Sequence, residues 1–164
     1  MLSWILHIAL VGALLVSFYQ DWKYRAISWM VFPLTLFIAG GIFYTMDIPL
    51  NVLWNNLAFL VVVIGMLFVY VSVKRGQLTN IFRADFGLGD VLFLLAVIPL
   101  FGVQNYILFF ITGMLFSGIV HFIIYAINGN QKIPLAGYLA LYIIGLKGAD
   151  YFVFNNLFYS PVLG

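Results

Sequence analysis

The chain alternates between long apolar runs and short polar breaks. The first run, residues 2–19, is long enough to cross a bilayer, which takes roughly 17 to 25 residues of helix, and it stops at Asp21, Lys23 and Arg25. A second covers residues 27–46 and ends in the polar turn Asp47-Ile48-Pro49. The third, residues 52–73, is followed by the longest polar stretch, residues 74–85, which holds Lys74, Arg75, Arg83 and Asp85. A shorter fourth run opens at Asp90 and breaks near residues 99–104. The fifth covers residues 106–127 and closes on the polar segment 128–132. A sixth starts at Ile133-Pro134, where proline is tolerated in a first helical turn, and runs at least to Leu146. The aromatic tail, residues 147–164, has two placements open to it: prolonging the sixth helix or lying at the membrane surface. The pattern predicts an all-α polytopic membrane bundle of about six transmembrane helices in a single domain, residues 1–164.

Composition strengthens that reading. Apolar residues make up 65% of the 164 and charged ones 7%, where soluble domains carry roughly 25% charge. The absence of cysteine excludes disulfides, thiolate catalysis and cysteine-ligated metal sites. A net charge of +2 gives no reason to expect a nucleic-acid partner. The first run has no basic segment before it and no small-residue cleavage site after it, so a retained span is expected in place of a removable signal peptide. With six spans, Lys23, Arg25, Lys74, Arg75, Arg83 and Lys132 gather on one side and leave Lys147 on the other. The positive-inside rule makes the crowded side cytoplasmic and puts both termini outside.

That topology sets Asp21, at the end of the first span, and Asp90, at the start of the fourth, on the same cytoplasmic boundary. An acid at the edge of hydrocarbon costs a few kcal/mol unless it has a partner, water or a proton, so both read as functional. Asp90 stands behind two glycines in Gly87-Leu88-Gly89-Asp90, and residues without Cβ let a second backbone approach closely. Two neighbouring carboxylates cannot both ionise cheaply and share a proton. One can then draw a proton from water while the other polarises a peptide carbonyl, which is amide hydrolysis with no metal, cofactor or covalent intermediate. His7 and His121 fall on different spans, and no H-E-x-x-H occurs.

Three segments together resemble the type IV prepilin peptidases, membrane aspartyl proteases related in motif to presenilin-type enzymes. Asp21-Trp22-Lys23-Tyr24-Arg25-Ala26-Ile27 is similar to the first aspartate segment of that family, Gly87-Leu88-Gly89-Asp90 matches its G-x-G-D motif, and the segment from Lys132 through Pro134 to Leu141 is similar to the proline-led opening of its last helix. The resemblance implies catalysis by Asp21 and Asp90, with Gly87 and Gly89 shaping the approach of the scissile segment and Pro134 helping to position the last helix. It implies prepilin- or pseudopilin-like precursors as substrates, cut on the cytoplasmic side of the inner membrane, with no cofactor and with membrane lipid as surroundings. Lys23 and Arg25 are expected to set topology and meet headgroups, with orientation of Asp21 as their other role.

The sequence departs from the family at Ser28, where many members have proline, at residues 92–95, which lack a lysine, and at residues 135–138, where a second proline is missing. Without cysteines the chain resembles the compact form that lacks the N-methylating portion. Other readings stay open: Asp21 as a helix-end charge, Asp90 as a helix cap, Asp85 as a solvated loop acid, and the whole chain as a non-catalytic pilus-assembly scaffold or a small proton-coupled transporter.

Overall fold

The computed structural model describes residues 2–75, 87–128, 133–151 and 158–159, and among these it forms six α-helices, one short 3₁₀ turn and no strand. Helix α1 (Leu2–Tyr24) runs past its apolar stretch and through Asp21. It ends where Arg25 enters the left-handed region at φ 54°, its N–H bonded to the Asp21 carbonyl at 3.0 Å.

The second helix begins later than the apolar run suggested. Gln20 Oε1 accepts the Ser28 N–H at 2.8 Å and the Ser28 carbonyl accepts the Val31 N–H at 3.0 Å, so the chain turns before α2 (Val31–Thr45) can start. Its 15 residues rise about 22 Å, less than a hydrocarbon core of roughly 30 Å. Helix α3 (Asn51–Arg75) is long. Helix α4 (Leu88–Ala96) is stopped by Pro99, which cannot donate to a helical ladder, and the chain passes into a 3₁₀ turn at Ile98–Leu100. Helix α5 (Val103–Asn128) is again long, and α6 (Leu135–Ala149) is again short.

Three helices, over Ser3–Tyr24, Asn51–Lys74 and Val103–Ala126, are therefore long and apolar enough to cross a membrane, and α2, α4 with its turn, and α6 are shorter. The all-helical bundle of six helices expected from the sequence is thus found among the described residues, with three of the helices shorter than a full span. The shortening at α2 comes from the turn after α1, and that at α4 from Pro99.

Helix α1 packs along α6 and α2, and these two also pack on α4. The outer pair, α3 and α5, contact each other, with α3 also against the 3₁₀ turn and α5 against α6. Leu10, Leu14, Ile42, Phe93, Leu94, Leu139 and Ile143 form the centre. Trp4, Ile8, Phe37, Met66, Val73 and Phe122 point outward, an apolar face suited to lipid.

The break at Pro99 frees carbonyls inside an apolar bundle, and buried carbonyls need donors. Asn56 Nδ2 supplies the Phe101 oxygen at 2.8 Å, and the Tyr159 hydroxyl supplies the Pro99 oxygen at 2.8 Å. The Phe158 carbonyl takes the Gly102 N–H at 2.8 Å while its ring stacks on Phe101 at 5.0 Å. Residues 158–159 thus dock into the bundle, while the tail's first residues, through Ala149, prolong α6, one of the two placements open to it. Residues 152–157 and 160–164 lie outside the described residues, as do Arg83, Asp85 and Lys132.

Candidate active site

Asp21 occupies the last turn of α1 and is buried, 7% exposed. Asp90 occupies the first turn of α4, whose N-cap is Gly87. The Asp90 N–H bonds back to the Gly87 carbonyl at 3.0 Å, and the Asp90 carboxylate in turn accepts from the Gly87 N–H, a reciprocal closure of the helix start. An added Cβ on Gly87 would lie 2.9 Å from Asp90 Oδ2, too close for any real side chain. Gly89 differs, because its Cβ would meet only Phe32 of α2 at 3.7 Å, an ordinary contact.

The two acids meet on a third element. Pro134 is the N-cap of α6 and has no side-chain oxygen with which to satisfy the first free N–H groups of that helix. Those donors turn to the acids: the Ala136 N–H bonds Asp90 Oδ1 at 3.0 Å, and the Gly137 N–H bonds Asp21 Oδ2 at 2.7 Å. Successive peptides of one helical turn thus hold both carboxylates at the positive end of the α6 dipole, where negative charge is stabilised. Each carboxylate keeps one oxygen that α6 does not hold. The negative charge of Asp21 bears on Asp90, as proximity requires.

Gly137 makes the approach sterically feasible. Its Cβ, if present, would lie 3.2 Å from both Cβ and Oδ2 of Asp21 and 3.5 Å from the Phe18 carbonyl. The Pro134 carbonyl accepts the Tyr138 N–H at 3.0 Å and so begins the ladder that fixes this turn.

Helices α2 and α6 each pack on both α1 and α4, and so bring the ends that carry Asp21 and Asp90 together. Ala136 and Gly137 were missed as site residues, because they act through backbone N–H groups that every residue but proline carries. The small side chains following Pro134 were the available signal.

The two basic residues after Asp21 separate. Lys23 is exposed, with Nζ 2.9 Å from the Tyr19 hydroxyl and 5.2 Å from the centre of the Tyr24 ring. Arg25 folds the other way: its Cζ lies 6.0 Å from the Trp22 ring, its Nη1 is buried, and its charge acts on Asp21 and on Tyr138 of α6. His7 bonds the Ser3 carbonyl through Nδ1 at 2.7 Å and His121 packs on Tyr125, so neither histidine joins the acids. Among the described residues no three His, Asp or Glu side chains gather as a metal-binding group.

The sequence model of the type IV leader peptidase family matches residues 8–123. The matched segment holds Asp21, Gly87, Gly89 and Asp90 and ends before α6. No curated protein and no solved structure matches the chain.

Proposed function

Because the chain belongs to the type IV leader peptidase family, we propose that it is an aspartic endopeptidase that cuts the basic leader from prepilin- or pseudopilin-like precursors at the cytoplasmic face of the inner membrane. Membership gives a leader-peptidase-type protease, and its three long apolar helices suit a membrane. The observation that carries the finer reading is the placement of the Asp21 and Asp90 carboxylates on consecutive N–H groups of α6.

In the proposed reaction the pair carries one proton. The ionised carboxylate takes a proton from a water as its oxygen bonds to the scissile carbonyl carbon, and the protonated carboxyl gives its proton to the carbonyl oxygen. The resulting tetrahedral diol collapses when the nitrogen is protonated and the C–N bond breaks, leaving a carboxylic acid on the leader and a new amine on the product. The chemistry needs no cofactor. Bonds from Ala136 and Gly137 keep the acids from swinging away while each retains one oxygen outside the grip of α6. The short α2, α4 and α6 suit a thinned or wetted region beside the acids, which hydrolysis inside a membrane protein requires. Gly87 and Gly89, just before Asp90, shape the approach of the scissile segment, and Pro134 sets where α6 begins. The basic leader stays among the headgroups and water while the precursor's apolar helix remains in the bilayer.

The test is co-expression with a panel of prepilin-like precursors, read by mass spectrometry of the product's amino terminus. Wild type is expected to cut, while Asp21→Asn and Asp90→Asn accumulate in the membrane without cutting. Cleavage by either variant at the wild-type rate would remove the assigned pair.

A further inference from the structure

The turn that closes α1 holds an arginine in a conformation that normally belongs to glycine. Arg25 has φ 54°, where a Cβ is crowded, and its N–H is fixed to the Asp21 carbonyl at 3.0 Å. Strain retained at such a position points to a use for the side chain. Residues 22, 23, 24 and 26 around it are exposed, whereas Arg25 is partly buried, with Nη1 sealed from solvent. Its guanidinium lies against Trp22, and Trp22 in turn packs on Tyr138, the residue after Gly137, at 6.2 Å between ring centres. Lys23, two positions earlier, takes the opposite course and is held outside by Tyr19 and Tyr24. One cation is turned out and the other is turned in.

We propose that Arg25 is a positioning residue for Asp21: the left-handed turn hooks its guanidinium back beside the carboxylate and the first turn of α6, where it holds that carboxylate on the Gly137 N–H. The inference rests on Asp21 being one of the catalytic acids. Two carboxylates gathered at one helix end repel each other, and a cation beside one of them offsets that repulsion. Arginine suits the place because a guanidinium keeps its charge when partly buried and lies flat on an indole ring, neither of which holds well for an ammonium. The left-handed turn supplies the direction, since a right-handed residue at position 25 would continue α1 and carry the side chain onward with it. The electrostatic influence of Arg25 on both Asp21 and Tyr138 agrees with this placement.

The deciding substitution is Arg25→Gly, because glycine relieves the left-handed backbone while removing the guanidinium. If Arg25 only made the turn, Arg25→Gly would cut precursor at the wild-type rate. The expected result is a fall in kcat of about tenfold or more with KM little changed, and partial recovery in Arg25→Lys. A second measurement is independent of catalysis. Thermal unfolding in detergent is compared for wild type, Arg25→Gly, Asp21→Asn and the double variant. Glycine is expected to raise Tm more when residue 21 is asparagine than when it is aspartate, because only the aspartate loses a charge partner. Equal shifts in the two backgrounds, or wild-type kcat in Arg25→Gly, would overturn the proposal. If wild type cuts no precursor, the protease reading fails, and the unfolding cycle still decides whether Arg25 and Asp21 are coupled.

Discussion

The two glycines of the G-x-G-D segment are expected to respond oppositely to alanine. At Gly87 the backbone has φ −66° and ψ 134°, angles any residue adopts, so alanine costs nothing in conformation. The obstacle is its Cβ, which would stand 2.9 Å from Asp90 Oδ2 and 3.6 Å from Asp90 Cγ. Comfortable contact begins near 3.4 Å, so the carboxylate has to retreat by about 0.5 Å. The retreating atoms are the tip of a side chain, and the fold loses little: a stability cost of about 1 kcal/mol or less, the scale of one hydrogen bond. The same tip is the proposed reacting group and is held by the Ala136 N–H, so catalysis suffers more, by roughly tenfold if about 100-fold attends a full ångström. Gly89 lies inside the first turn of α4, its Cβ would find Phe32 at an ordinary 3.7 Å, and alanine there favours the helix by up to about 1 kcal/mol. Gly89→Ala is therefore expected to keep near-wild-type activity with unchanged or raised Tm. The assay is initial-rate cleavage of one precursor by purified proteins in detergent, paired with thermal unfolding of the same samples. Wild-type cleavage by Gly87→Ala, or equal losses at the two glycines, would refute the reasoning from Cβ distances.

Other substitutions follow the same geometry. Gly137→Ala forces Asp21 to yield a few tenths of an ångström from its 3.2 Å contact, and cleavage is expected to fall about tenfold while the Gly137 N–H remains available as a donor. Lys23→Gln changes a side chain directed to Tyr19 and Tyr24, so kcat is expected to stay within about twofold of wild type. Asn56→Leu removes the donor to the buried Phe101 carbonyl and is expected to cost about 1 to 3 kcal/mol in denaturant unfolding, with residual folded protein still cutting. Tyr159→Phe removes the hydroxyl bonded to the Pro99 carbonyl, with an expected loss of about 1 kcal/mol and a lowered Tm.

Much of this architecture is legible in the chain because hydrocarbon is a demanding solvent. Apolar runs mark the helices, and an acid at a run's edge stands out against its surroundings. Asp21 and Asp90 were legible for that reason, and the structure brings both to one turn. What joins them was not, since the Ala136 and Gly137 N–H groups have no signature in a one-letter string. The late start of α2 depends on Gln20 reaching Ser28 eight residues on, a side-chain choice that residues 27–46 do not announce. Lys23 and Arg25 look equivalent in sequence and part company only because one backbone angle changes sign. The docking of Phe158 and Tyr159 is set by the Gly102 N–H and the Pro99 carbonyl, far away in the chain, so no local pattern in the tail foretells it.

The bond from Gly137 to Asp21 spans 116 residues, and that from Ala136 to Asp90 spans 46. On a ribosome those distances are times. Asp21 and Asp90 are both made and threaded long before the turn that holds them has been translated, so for most of its biosynthesis the growing polypeptide carries its acids unassembled. The pair is joined only when the first turn of α6 has been made, and the assembly of the proposed site is thereby tied to the near-completion of the bundle that holds it.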